Sequence, residues 1–144
     1  MRKSIILALV LLGLVLARAA DQQTLDQLKQ RATAAKPGAQ PKLFLEVAEW
    51  QLREANDAYH HNDAGKGQAA VHDVVTYCER AVAAAKSTRK HLKETEIKVR
   101  DLSRKLDDMR RSAEFDDRPP LETAIERLEM LRRELLTTMF GSKS

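Results

Sequence analysis

One fourteen-residue stretch, HHNDAGKGQAAVHD, holds most of the side chains that could bind a metal ion. It contains His60, His61 and His72, three of the four histidines of the chain, together with Asp63 and Asp73. Imidazole and carboxylate groups are ligands that zinc and copper accept in proteins. If two helices meet in a tight turn here, one of the adjacent histidines and His72 come within reach of a common ion. The candidate ligands are His60, His61, Asp63 and His72.

The spacing within this stretch nevertheless favours a simple turn. His60 and His61 are adjacent, so on a helix their side chains point about 100° apart and seldom share one ion. The sequence has no histidine pair at a spacing of four and no Glu-x-x-His motif. The Gly-Lys-Gly follows a predicted helix instead of a strand and lacks the GxxxxGK[ST] spacing of a phosphate-binding loop. We therefore predict no metal and no cofactor.

The sharpest local charge feature is the stretch KSTRKHLK, which carries no acidic side chain. Its cations Lys86, Arg89, Lys90 and Lys93 form a candidate patch for an anionic partner, either lipid headgroups or an acidic protein. Acidic residues resume directly after the stretch, and no aromatic residue is interleaved to enter lipid or stack on bases. We favour a solvated helix face, and contact with a membrane surface is the less favoured interpretation.

No set of residues has the spacing of a catalytic site. Glu122 and Glu126 lie one helical turn apart, but neighbouring arginines suggest surface ion pairs. The serines have no glycine elbow around them and no evident histidine partner. Helices without inserted loops seldom build a concave pocket. We expect a protein that is not an enzyme and has no small-molecule substrate.

The N-terminus has the layout of a secretory signal peptide. A positive Met1–Lys3 segment precedes the apolar run Ile5–Leu16, and Ala17-Arg18-Ala19 offers small residues for cleavage after Ala19. The apolar run is a dozen residues, whereas a membrane-spanning helix needs roughly 20. We predict an exported bacterial protein, periplasmic or secreted.

Export changes the charge balance. The formal net charge of the whole chain is +4, from 25 basic and 21 acidic residues. Removal of the signal peptide takes away three basic residues and no acidic one, which leaves 22 against 21. A nearly neutral chain gives no support for nucleic-acid binding. Cys78 is the only cysteine, so we expect a buried thiol and no intramolecular disulfide.

Periodicity and composition predict an all-α protein. Apolar residues recur at helical spacing, aromatic residues make up 4% of the chain, and helix breakers divide it into segments. The predicted segments are an N-terminal arm with a Pro/Gly linker at 20–41, a helical domain at 42–140 with helices at about 42–61, 68–114 and 120–140, and a polar tail at 141–144.

The predicted central helix follows a heptad pattern without Gly or Pro from about 68 to 114. The a and d positions at Ala85, Thr88 and Thr95 carry small side chains, which would bury little apolar surface. A turn at this point, like that of a compact four-helix bundle, remains an alternative. We favour one long helix, because the heptad phase continues through this region. The fold is then elongated, with each flanking helix folded back on one half of the long one.

Such hairpins are two helices thick and leave apolar positions uncovered. We therefore expect an interaction seam and a partner, either a second copy in a homodimer or another protein of the cell envelope. The seam residues share apolar a and d positions: Val71, Val74, Cys78, Leu92, Val99, Leu102, Leu106, Met109, Leu121, Leu128, Leu131 and Leu135.

Residues 46–85 resemble a single tetratricopeptide-type helical hairpin. A helix ending in ANDAYHHND is followed by a tight turn and a helix that begins QAAVHDVV. The motif W-x-x-L-G-x-x-Y is not satisfied, because Arg53 stands three residues after Trp50 and Ala55 stands four before Tyr59. The resemblance implies at most a hairpin used as a binding surface.

These observations lead to one functional expectation and two alternatives. We expect an exported, non-enzymatic helical scaffold or adaptor that acts through protein–protein contacts. The first alternative is a periplasmic chaperone-like protein that binds unfolded clients. The second is a metal carrier that uses the histidines of residues 60–73.

Overall fold

Four helices of 21 to 25 residues make up most of the protein. The computed structural model describes residues 24–141, so the predicted signal peptide and the end of the polar tail lie outside the described residues. No strand occurs within this range, and the predicted all-α class is confirmed. The helices are α1 (24–34), α2 (Gln40–His60), α3 (Ala64–Thr88), α4 (Leu92–Ser112) and α5 (Arg118–Phe140), with a 3-10 turn at Phe115–Asp117 before α5.

The helices form two antiparallel hairpins that pack against each other. Helix α2 pairs with α3, α4 pairs with α5, and α3 also lies against α5. Because each connection is short, α2 and α4 run in the same direction on one side of the bundle. The core is a single cluster to which all five helices contribute. No helix within residues 24–141 is long and apolar enough to cross a membrane.

The chain does not form the single long helix predicted over about 68–114. It forms α3 and α4, which are separated at residues 89–91. Arg89 and His91 both adopt the left-handed conformation, with φ of 52° and 59°. The chain thereby reverses direction. The structure thus has the alternative that the small a and d residues left open, a turn between two shorter helices.

Burial explains why the chain turns there. A left-handed residue other than glycine costs about 1–2 kcal/mol. Full burial of one Val or Leu side chain contributes ~1.5–3 kcal/mol. The reversal brings Val99, Leu102 and Leu106 into the same core as the stripe of α3, and all three are completely buried. The gain from three such side chains exceeds the cost of two left-handed residues.

The α2–α3 turn is built from residues suited to it. Asn62 is left-handed, with φ of 56°. Asp63 caps α3, because its Oδ1 accepts a hydrogen bond of 3.2 Å from the backbone N–H of Lys66. The absent side chain of Gly67 leaves room for the Tyr59 ring, whose atoms would lie 2.9 Å from a Cβ at this position.

Helices α2 and α5 begin and end near the predicted positions. Helix α2 was predicted at about 42–61 and α5 at about 120–140, so both are confirmed. Prolines stand in the first turn of each, where the missing N–H has no helical acceptor. The N-terminal arm is not loose in the structure, since α1 buries Leu25 and Ala32 in the core.

Candidate interaction groove

The structure does not gather the candidate metal ligands. The Nδ1 atoms of His60 and His61 bind the carbonyl oxygens of Asn56 and Asp57 at 2.8 and 2.7 Å, as expected for histidines at a helix end. Asp63 caps α3 and His72 points into solvent beside Asp73. Within residues 24–141, no three His, Cys, Asp or Glu side chains are grouped so as to hold a metal ion.

The predicted cationic patch is divided by the α3–α4 turn. Lys86 forms an ion pair with Glu134 of α5 at 3.0 Å. Arg89 donates a hydrogen bond of 3.3 Å to the carbonyl oxygen of Thr138. Lys90 lines a cavity, and Lys93 is exposed on α4. The patch is therefore not one helix face.

The predicted interaction seam lies inside the bundle. Ten of its twelve residues are buried in the core, and Leu92 and Met109 pack against it as half-buried side chains. The fold-back of α4 covers these positions within one chain, so their packing does not require a second copy. The thiol of Cys78 is also buried, and burial raises its pKa well above the usual range of a thiol.

A polar network between α4 and α5 was missed by the sequence analysis. Glu96 is only 7% exposed, and its Oε1 accepts a hydrogen bond of 3.0 Å from Arg132 Nε. Arg132 also binds Glu129, which accepts a hydrogen bond from the buried Ser103 hydroxyl. Glu96 and Ser103 are seven residues apart and therefore lie on the same face of α4, beside its apolar stripe. That spacing is the sequence signal that could have revealed them. The network connects α4 and α5.

The most concave part of the described surface is a groove with α2 as its floor. We call it the α2 groove; its walls are α1 with the α1–α2 linker on one side and α4 on the other. Three cavities open into it, with volumes of about 1020, 710 and 570 Å³. All three share Glu49, which lies midway along α2. The three cavities therefore adjoin one another along α2.

One ion pair crosses the middle of the groove. Lys98 of α4 donates a hydrogen bond of 2.6 Å to Glu49 Oε1. That bond raises the pKa of Lys98 above its usual value, so the ammonium stays charged beyond its ordinary range. The pair links α2 and α4 at mid-groove, between the cavities of about 1020 and 710 Å³.

The largest cavity lies at the end of the groove where α2 and α4 begin. Apolar side chains such as Leu43 and Leu45 line its interior. Lys36, Lys42 and Lys90 stand around it and form no ion pair within residues 24–141. We call this the cationic end.

The opposite end of the groove has the opposite charge. Asp57 and Asp108 line the cavity of about 710 Å³ there, and Glu114 and Asp117 line a smaller adjoining one of about 170 Å³. None of these four carboxylates forms an ion pair within the described chain. We call this the acidic end.

Comparisons with known proteins give no relative. The chain matches no protein-family model, and neither the curated proteins nor the solved structures contain a significant match. The function has to be argued from the groove itself.

Proposed function

We propose that this protein is a non-enzymatic helical adaptor that binds a helical segment of a partner protein in the α2 groove. The observation that carries the proposal is the succession of three adjoining cavities along α2, each lined by Glu49. An amphipathic helix that lays its apolar side into a groove is a common mode of peptide recognition. The tetratricopeptide-type resemblance of residues 46–85 agrees with a binding role for α2 and α3.

The dimensions of the groove favour a helix over a small ligand. Its lining runs along α2 from Lys42 to Asp57. These sixteen residues span fifteen steps of about 1.5 Å, a length of about 22 Å or four turns of a docked helix. Leu43, Leu52 and Met109 provide apolar contacts at intervals along this length. A small molecule would fill one cavity and leave the others empty.

The predicted export of the chain supports a partner in the cell envelope. The signal peptide predicted at residues 1–19 would direct the chain out of the cytoplasm, and the protein would meet its partner in the periplasm or outside the cell. A second copy of this chain is the alternative occupant of the groove.

Site-specific photocrosslinking in the native compartment tests the proposal. A photoreactive side chain at Arg53 or Glu46 lies in the groove, and one at the exposed Glu126 of α5 is the matched control. We expect one discrete crosslinked protein from both groove positions and none from the control. The purified partner should then bind with 1:1 stoichiometry and lose affinity when the half-buried Leu43 or Met109 is replaced by Asp. Crosslinks only from Glu126, or unchanged affinity in the groove variants, would refute the assignment.

Light scattering after gel filtration distinguishes the two occupants. A monomer leaves the groove free for another protein. A dimer that dissociates when Arg53 is replaced by Glu would assign the groove to a second copy of the chain.

A chaperone-like role is the second candidate, and exposed apolar side chains favour it. Phe115 and Phe140 are 79% and 70% exposed, and Met130 is 44% exposed. A client-binding protein would suppress aggregation of unrelated unfolded proteins at near-stoichiometric ratio, whereas an adaptor would not. Replacement of Phe115 and Phe140 by Ser should abolish such suppression and leave adaptor binding unchanged.

A further inference from the structure

The side-chain charges and the helix termini along the α2 groove together favour one direction for a helix that lies in it. We infer that the partner helix runs antiparallel to α2 and α4, with an acidic C-terminal end at the cationic end of the groove. This inference rests on the proposed function and specifies the chemistry of the partner segment. A helix of the opposite direction would place like charges against each other at both ends.

The cationic end keeps its charge after internal pairing is considered. Arg31 is paired with Glu46 at 3.9 Å, and Lys98 is paired with Glu49 at 2.6 Å. Three lysines then remain against the single carboxylate of Glu94. A partner with carboxylates at this position would complete ion pairs that the chain does not supply.

The acidic end keeps its charge for the same reason. Lys105 lines this end but is paired with Asp101 at 2.9 Å. The remaining cation, Arg53, lies over the Trp50 ring at 5.5 Å from its centroid. Four carboxylates, those of Asp57, Asp108, Glu114 and Asp117, therefore face one arginine.

The backbones of α2 and α4 add to the same polarity. Both helices begin at the cationic end and finish at the acidic end. A helix carries a partial positive charge at its N-terminus and a partial negative charge at its C-terminus. An antiparallel partner brings its own negative C-terminus to the two positive N-termini, so the helix dipoles select this orientation. The lysines of the cationic end then call for acidic side chains at the partner's C-terminal end.

The α3–α4 turn provides an independent reason to assign a role to the cationic end. Arg89 and His91 are both left-handed, and they flank Lys90 on either side. The Lys90 side chain runs across the linker, since a Cβ on Gly38 would lie 3.5 Å from its Cδ. Backbone conformations of this kind concentrate at binding and catalytic sites. Here the turn holds Lys90 at the rim of the largest cavity.

Two stapled helical peptides of 16 residues test the orientation. Both are acetylated and amidated, carry the same leucine stripe and have the same composition. One has glutamates in its last two turns and lysines in its first two; the other has these charges exchanged. Each peptide is titrated calorimetrically into the purified protein, which is expressed as the full chain and processed by the host cell. We expect the peptide with C-terminal glutamates to bind about tenfold more tightly, because the other peptide matches the side-chain charges only in the reverse direction, in which its N-terminus faces the N-termini of α2 and α4. The ratio should shrink in high salt.

Variants identify the residues responsible. The triple change Lys36→Glu, Lys42→Glu and Lys90→Glu should abolish or invert the preference between the peptides, with circular dichroism confirming that the protein is folded. Lys93→Glu is the matched control, since Lys93 lies near the same turn and outside the groove cavities, and it should keep the preference.

Paramagnetic relaxation shows the orientation directly. A nitroxide at the C-terminal end of the tighter peptide should broaden the amide signals of Gly38 and His91 and leave that of Ser112 unchanged. Equal affinities for the two peptides, or broadening at Ser112 alone, would overturn the orientation and leave the groove proposal standing. Failure of both peptides to bind at millimolar concentration would overturn the orientation and the proposed function together.

Discussion

The two turns that reverse the chain around α3 solve the same geometric problem with different residues. The α2–α3 turn uses Asn62 in the left-handed conformation and Asp63 as a helix cap. The α3–α4 turn places Arg89 and His91 in the left-handed region and has no side-chain cap on α4. Asn tolerates this region more readily than Arg or His. The first turn is specified by its own residues, whereas the second is imposed by packing on both sides of it.

This contrast explains where the sequence analysis succeeded. Breakers and caps are visible in a sequence, so the end of α2 and the limits of α5 were placed correctly. The second turn contains neither glycine nor proline, and the apolar heptads of α3 and α4 happen to continue in phase across it. The turn is favoured by the free energy gained when residues such as Leu102 are buried in the core, and this gain is not visible in the local sequence.

The largest expected effect comes from disturbing the packing on which the second turn depends. Val99→Asp places an unpaired carboxylate at a completely buried position. We expect a loss of about 4 kcal/mol or more in the free energy of unfolding, which is most of the stability of an average domain. Urea denaturation followed by circular dichroism measures it. Leu92→Asp at a half-buried position is the control and should cost much less; equal losses would mean that the turn, and not the core, is the critical element.

A second prediction concerns the fit of the α2–α3 hairpin. Gly67→Ala would place a Cβ 2.9 Å from the Tyr59 ring, so the ring must shift. We expect a net loss of ~1–2 kcal/mol, because overpacking outweighs the better helix propensity of Ala. Gly65→Ala meets no atom within 4 Å and should leave the melting temperature unchanged or raise it. A stabilising Gly67→Ala would show that the ring moves freely.

A third prediction tests whether the first turn is specified by its cap. Asp63→Ala removes the acceptor for the Lys66 N–H. We expect a loss of about 1 kcal/mol in the free energy of unfolding, as for other N-cap residues. Asp63→Asn keeps an acceptor and should retain most of the stability. If both variants melt like the parent protein, the first turn is also held by packing alone.

The smallest expected effect separates the two turns by backbone strain. His91→Gly removes a left-handed non-glycine residue and should stabilise the protein by up to about 1 kcal/mol. Asn62→Gly should change the stability by only a few tenths of a kcal/mol, because Asn already tolerates this conformation. Thermal melts of the two variants side by side give the comparison. A larger gain at Asn62 would reverse our view of which turn is strained.

The groove could not have been predicted, although its residues are visible in the sequence. Its floor residues on α2, among them Glu49, were assigned to a helix from the outset. Its far wall is α4, which lies beside α2 only because the chain reverses at 89–91. A continuous helix would have carried Lys98 far from Glu49. The site therefore depends on the one turn that local signals do not encode, and the charge of its cationic end comes from lysines that are distant in sequence.

The position of Trp50 has a practical consequence. It is the only tryptophan of the chain, it is half-buried, and it lines the wall of the groove with the Arg53 guanidinium over its ring. An occupant that displaces Arg53 or excludes water from the indole would change the intensity and shift the wavelength of its emission. The protein thus carries an intrinsic optical reporter of groove occupancy, so a purified peptide that lacks tryptophan can be titrated without attaching a dye.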